Sequence, residues 1–265
     1  MMNRRQFLGR TCVAAGCLGL FSYAVAQAIN INDAINKSGR QRMLSQRMAK
    51  AYLQLGLAVD VEHSKKILQA SLALFDKQLL ELSAFAPTAE NRLTLSNMKK
   101  VWLSYKQVLS GKTPNQQDAK EVMLINEEIL TMAHAATLQL EKYNGNPAGQ
   151  LVNISGRQRM LSQRMAKFYQ ALQWGVAPPD AQAKLELSRQ EFIAAMRTLN
   201  ASAKNTPRIK DELALAQTQW LFFDAALRQG GESKNHQQYA SNVATSSERI
   251  LEIMDRITGL YQQLT

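Results

Sequence analysis

From about residue 29 onward, apolar side chains recur every three to four positions, the period of an α-helix packed on one face. Alternating or β-branched runs that would mark strands are absent. The breaks in this pattern predict eight helices. The first runs from about Asn32 to Val59 and the second from Val61 to Phe85, before Pro87. The third starts near Thr88 and stops at Gly111, and Thr113-Pro114 supplies an N-cap and first-turn proline for the fourth. That helix reaches Tyr143, where Asn144-Gly145-Asn146-Pro147 breaks it. The next ends near Gly175, before Pro178-Pro179, and a sixth ends near Asn205. Thr206-Pro207 opens a seventh, Gly230-Gly231 stops it, and the last runs to the C-terminus. The two sets of four have the same layout. The expected fold is therefore all-α: two tandem up-and-down four-helix bundles, spanning 29–145 and 146–265.

The equal layout reflects a duplication. Residues 38–50 read SGRQRMLSQRMAK, and residues 155–167 repeat all thirteen letters 117 positions later. Ile35 and Asn36 answer Val152 and Asn153, Trp102-Leu103 answers Trp220-Leu221, and Glu127, Ile129 and Leu130 answer Glu248, Ile250 and Leu251. Four antiparallel helices return the chain to the end where it began, and the linker is short. The two motif helices thus start at the same end and are expected side by side, parallel, about a pseudo-two-fold axis. On the first of them Leu44, Met48, Ala51 and Leu55 form a stripe for its own bundle. Gly39, Met43, Gln46, Lys50 and Leu53 form a second stripe at coiled-coil spacing, flanked by Arg42 and Arg47. That second face is predicted to meet its twin. A homodimer that swaps halves would use the same seam.

Composition adds two constraints. Ala, Leu, Gln, Met, Lys and Arg dominate, all good helix formers. The formal charge is +11, about +8 without the leader, because Arg4, Arg5 and Arg10 lie there. An anionic partner follows from this balance. Residues 1–28 read as an export signal: a basic start, the apolar run from Thr11 to Ala26, and small residues for cleavage after Ala26 or Ala28. The order Arg4-Arg5-Gln6-Phe7-Leu8 resembles the twin-arginine type. The expected location is periplasmic, with an uncleaved leader as the alternative that would anchor the chain to the membrane. Both cysteines, Cys12 and Cys17, fall in this leader, so the mature chain has no thiol chemistry. Export also argues against a nucleic acid as the partner.

Arginines gathered across a two-fold repel each other unless acids or a bound anion compensate them. The motif itself contains Arg40, Arg42, Arg47 and Lys50 and no acid. A planar oxyanion suits the guanidinium fork, and Ser45, Gln46 and amides near Gly39 are further donors. One reading is an anion site shared by Arg42 and Arg159. The other is that the arginines pair with acids from other helices and serve only assembly. His63, His134 and His236 are scattered helix-face residues without metal spacing or a nucleophile beside them. Trp102 and Trp220 read as core. No enzyme, metal site or cofactor is expected.

The segment Ile35-Asn36-Lys37-Ser38-Gly39-Arg40-Gln41-Arg42-Met43-Leu44-Ser45-Gln46-Arg47 resembles the signature of the NarX/PilJ-type sensory input domain. These are periplasmic four-helix bundles of nitrate/nitrite sensor kinases and of type IV pilus chemotaxis transducers. The resemblance covers both halves. It implies a ligand site for nitrate or nitrite at Arg42 and Arg159, supported by Arg47 and Arg164, with Gly39 and Gly156 at the close helix approach; Gln46 and its counterpart Gln163 are expected beside them as further donors of the motif itself. Lys37 is answered by Ile154, so the pseudo-symmetry is imperfect, and Arg40-Gln41 and Arg157-Gln158 are nearer the pilus-transducer form. No kinase or methyl-accepting coiled coil follows in the sequence. The expectation is an input module that works through a membrane-bound sensor, transducer or transporter. A structural double bundle without a small-molecule ligand is the competing expectation.

Overall fold

The computed structural model describes residues 30–111, 113–229 and 235–264, apart from the side chains of 147 and 148. The leader with its twin arginines and both cysteines lies outside these residues. Eight helices make up the described chain: α1 (Ile31–Gly56), α2 (Val61–Phe85), α3 (Ala89–Ser110), α4 (Gln116–Asn144), α5 (Pro147–Trp174), α6 (Ala181–Asn200), α7 (Pro207–Arg228) and α8 (His236–Gln262). Each starts and stops for local reasons. The side chains of Asn30, Thr88, Asn115 and Thr206 accept from the amide three residues on, satisfying a backbone donor that the helix leaves free. Gly145 ends α4 in the left-handed region at φ 63°, as a helix C-terminus favours.

Three boundaries differ from expectation. Helix α4 begins two residues after Pro114, because Asn115 and Asp118 cap each other: Asn115 Oδ1 accepts from the Asp118 amide at 2.9 Å and its Nδ2 donates to Asp118 Oδ2 at 2.7 Å. Helix α1 stops at Gly56, where Val59 N instead reaches Gln54 O and Ala58 takes φ 54°. Helix α6 stops at Asn200, and Asn205 folds back to donate to Leu199 O at 2.7 Å.

Helices α1–α4 form one up-and-down bundle and α5–α8 the other. In the first, α1 packs on α2 and α4 while α3 packs on α4. In the second, α5 packs on α6 and α8 while α7 packs on α8. The most extensive contact of all is α1 on α5. The two motif helices are therefore the centre of the molecule, each serving as a wall of its own bundle and as the seam between bundles. This explains a burial pattern unusual for an amphipathic helix. Between Asn32 and Gln54, only Asp33, Lys37, Arg40 and Arg47 of α1 are not buried. Around this axis the cores are ordinary: Phe75 stacks on Trp102 at 4.0 Å, and Phe192 on Trp220 at 4.5 Å. Full burial of such a ring stabilises by about 1.5–3 kcal/mol.

Candidate functional site

Helices α1 and α5 run parallel and touch over their whole length. At one end a Cβ on Gly149 would come within 3.2 Å of Ile35 Cδ1, and at the other a Cβ on Gly56 would lie 1.9 Å from the Trp174 ring. Midway, Gly39 and Gly156 leave room for the guanidinium groups. A Cβ on Gly39 would stand 3.1 Å from Arg42 Nη2 and 3.8 Å from Arg159 Nη2. A Cβ on Gly156 would meet Arg159 Nη2 at 3.1 Å and Arg42 Nη2 at 3.9 Å. These reciprocal distances are the pseudo-two-fold axis, and both arginines are completely buried on it.

Each arginine reaches into the other half. Arg42 Nη2 donates to Asn153 Oδ1 at 2.8 Å, and Arg159 Nη2 donates to Asn36 Oδ1 at 2.8 Å. Beyond this point the symmetry fails. Arg159 Nη1 is ion-paired with Asp255, which also holds Arg40 at 2.8 Å. The position equivalent to Asp255, at the spacing that relates Glu127 to Glu248, is His134. Its Nδ1 lies 3.3 Å from Arg42 Nη1. Among the described residues no carboxylate forms an ion pair with Arg42. The nearest compensation is indirect: Asn153 Nδ2 donates to Glu141. In the other half Asn36 Nδ2 donates instead to the neutral Gln262, at 2.6 Å. Each arginine thus has one acid, touching Arg159 directly but standing behind an asparagine for Arg42. The Nε of both arginines has no partner.

Electrostatics follow this geometry. Burial pulls the Arg42 guanidinium down to about 9, with repulsion from Arg157 and Arg159 adding to it. Arg159, equally buried, is held at about 10 because Asp255 offsets part of the desolvation. His134 is pushed down to about 4 by burial and by the cation beside it, so its imidazole is neutral at pH 7. His134, expected on a helix face without a role, is half-buried at the seam, whereas His63 and His236 are exposed.

The other expected site residues fall one to two turns along. Arg47 forms a forked ion pair with Glu248 of α8, and the buried Lys50 donates to the same carboxylate at 2.5 Å and to Ser247 Oγ at 3.0 Å. The twin clamp joins Arg164 and the buried Lys167 to Glu127 of α4, at 3.0 and 2.7 Å, with Lys167 also on Asn126 Oδ1 at 2.7 Å. Both clamps cross between halves. Burial opposes ionisation of Glu248, yet Lys50 and Arg47 override it and hold its carboxyl at about 2. Gln163 Nε2 donates to Ser247 O at 3.0 Å, while Gln46 Nε2 turns to Ser45 Oγ at 3.2 Å. The structure therefore brings Arg42, Arg159, Gly39 and Gly156 together on the axis. It places Arg47 and Arg164 on the two clamps instead.

Sequence reasoning missed the acids. Glu127 and Glu248 were visible as a matched pair, but nothing in the pattern assigns a carboxylate of α8 to an arginine of α1. Asn36 and Asn153 were likewise matched neighbours of the motif. His134 and Asp255 carried no signal at all, because they differ between the copies.

Among the described residues no helix is long and apolar enough to cross a membrane. The sequence profile of the type IV pili methyl-accepting chemotaxis transducer N-terminal domain matches twice, over residues 23–137 and 144–245. No curated protein and no solved structure matches the chain significantly.

Proposed function

The chain belongs to the family of type IV pili methyl-accepting chemotaxis transducer N-terminal domains, and from that premise we propose that it is a periplasmic receptor module for a small oxyanion. Nitrate or nitrite is the leading ligand, and a membrane-bound sensor, transducer or transporter is the partner that reads the bound state. The family is one of sensory, non-catalytic input modules. One observation carries the choice of ligand: Arg42 is a fully buried guanidinium with no direct carboxylate and an unpartnered Nε, next to a second buried arginine. A planar oxyanion accepting from Nε and Nη2, which share one edge of the guanidinium, supplies the missing charge through paired hydrogen bonds and competes with Asn153 Oδ1 for Nη2. His134, neutral and beside Nη1 of the same guanidinium, tolerates the anion where an aspartate would repel it. Arg159 faces the same axis, Gly39 and Gly156 keep the approach open, Arg47, Arg164 and Gln163 support the site through the clamps, and Gln46 lies beside it on Ser45. Arg42 Nη2 holds Asn153 of the other half, so an anion that re-aims the guanidinium alters the seam. Differential affinity for two seam arrangements is what a partner can read.

The test is a thermal melt of the exported chain with nitrate, nitrite, sulfate or chloride. A ligand that binds only the folded state adds about 2.7 kcal/mol at a hundred times its dissociation constant. A shift selective for nitrate or nitrite that Arg42→Ala removes is the expected result. No shift with any of the four anions overturns it.

A second reading rests on the clamps. Glu248 and Glu127 bind cations from the opposite half, so the motif also serves as a weld. If that is its whole role, Arg42→Ala lowers stability in every buffer and no anion response exists to lose.

A further inference from the structure

The α6–α7 seam of the second half contains a cavity of about 570 Å³, lined by Phe192, Ile193, Met196, Arg197, Gln217 and Trp220, among others. The first half shows what this seam looks like when closed. There Trp102 stacks on Phe75, is 2 % exposed, and donates from Nε1 to Asp76 Oδ1 at 2.7 Å; Lys106 holds the other carboxylate oxygen at 2.5 Å. Trp220 stacks on Phe192 in a similar way, with an interplanar angle of 19° against 27°. In the duplicated frame that matches Phe192 to Phe75, Ile193 stands for Asp76 and Arg197 for Leu80. The second copy has therefore lost the internal carboxylate and gained a cation. Trp220 is only partly buried, and among the described residues its indole Nε1 has no acceptor, while Arg197 is exposed and in no ion pair. Asp224, one turn beyond Trp220, does not fill the gap, because Arg189 at 2.5 Å and Arg228 at 3.0 Å hold it.

We propose that this cleft is a second ligand site, for a small carboxylic acid with an aromatic or branched apolar tail. The carboxylate takes over the role that Asp76 plays in the first half, accepting from Trp220 Nε1 and pairing with Arg197. The tail lies on Ile193 and Met196. An exposed ion pair alone contributes little, so affinity depends on combining the indole donor, the cation and apolar burial. The site is separate from the arginine axis and stands whether or not an anion binds there.

Indole ¹⁵N–¹H spectra test it directly, since the chain has 3 tryptophans and Trp220→Phe assigns the relevant resonance. Phenylacetate, indole-3-acetate and isovalerate are the probes. At least one is expected to shift the Trp220 indole resonance downfield and saturably at millimolar concentration, leaving those of Trp102 and Trp174 in place. Arg197→Leu, which copies the exposed Leu80, should weaken binding by about threefold, the effect of losing an exposed ion pair. Ile193→Asp, which restores the internal carboxylate, should abolish it. The proposal is overturned if none of the three acids moves the Trp220 resonance, if the matching alcohols move it equally, or if Arg197→Leu binds as well as the parent chain.

Discussion

The two halves began as the same sequence, and the comparison that matters is between their arginines. Arg42 and Arg159 have identical neighbours in the chain, identical burial and reciprocal asparagine contacts. They differ because α8 brings Asp255 to Arg159 whereas α4 brings His134 to Arg42. The compensating acid was redistributed rather than lost, since Glu141 stands behind Asn153 where Gln262 stands behind Asn36. A buried cation with its acid in direct contact is compensated where its charge lies, whereas one with its acid a residue away is compensated only through the intervening asparagine. The duplication thus gives the two arginines different counter-charges, a division that identical subunits of a symmetric dimer cannot make.

The largest expected effect comes from breaking the clamps that both halves share. Glu248→Ala leaves the buried Lys50 and its neighbour Arg47 without a counter-charge. Removing one partner of a buried pair costs about 3–5 kcal/mol, read as a lower midpoint in urea. Glu127→Ala should cost less, because Glu127 is 29 % exposed against 12 % for Glu248, and water takes over part of its work.

Next come exchanges at the axis. His134→Asp gives Arg42 the acid that Arg159 already has, and should raise the anion-free melting temperature while removing the response to nitrate. Asp255→Asn runs the other way. It should lower stability by about 1 kcal/mol, a figure reduced for the 44 % exposure of that carboxylate, and make the melting temperature more sensitive to added anion.

pH separates the same residues. His134 has a folded value near 4, below its ordinary 6.5, so between those values the unfolded chain binds the extra proton and acidification destabilises the fold. With half of the ring solvated, the loss is about 1 kcal/mol. Glu248, held near 2 against an ordinary 4.5, contributes stability above pH 4.5 that is lost as pH falls towards 2. His134→Gln should flatten the upper limb of the stability profile and leave the lower limb intact.

The smallest effect is at the two loops that end α1 and α5. Ala58 and Gly175 are equivalent and both left-handed, at φ 54° and 70°. Gly175→Ala should cost about 1 kcal/mol. Ala58→Gly should change the melting temperature little, because relieved strain is offset by greater freedom in the unfolded chain.

Much of this was legible in the sequence because it depends on local or repeated information. Helix period, caps and breaks gave eight helices within a few residues, and the duplication gave two bundles with parallel motif helices. The second stripe of α1, with Gly39 at its close approach, could be read as a seam because a solvent-facing surface has no reason to keep Met43, Lys50 and Leu53 at that spacing. The counter-charges were not legible. Arg47 and Glu248 lie 201 positions apart, and no periodicity relates a side chain on α1 to one on α8. Their meeting is set by how two bundles dock, which is decided by the shape of the whole α1–α5 interface. For the same reason the sequence showed two identical arginines, and only the tertiary structure made them different. A guanidinium's state depends on the charges and water within a few ångströms of it, and those are delivered by helices that the motif itself does not encode.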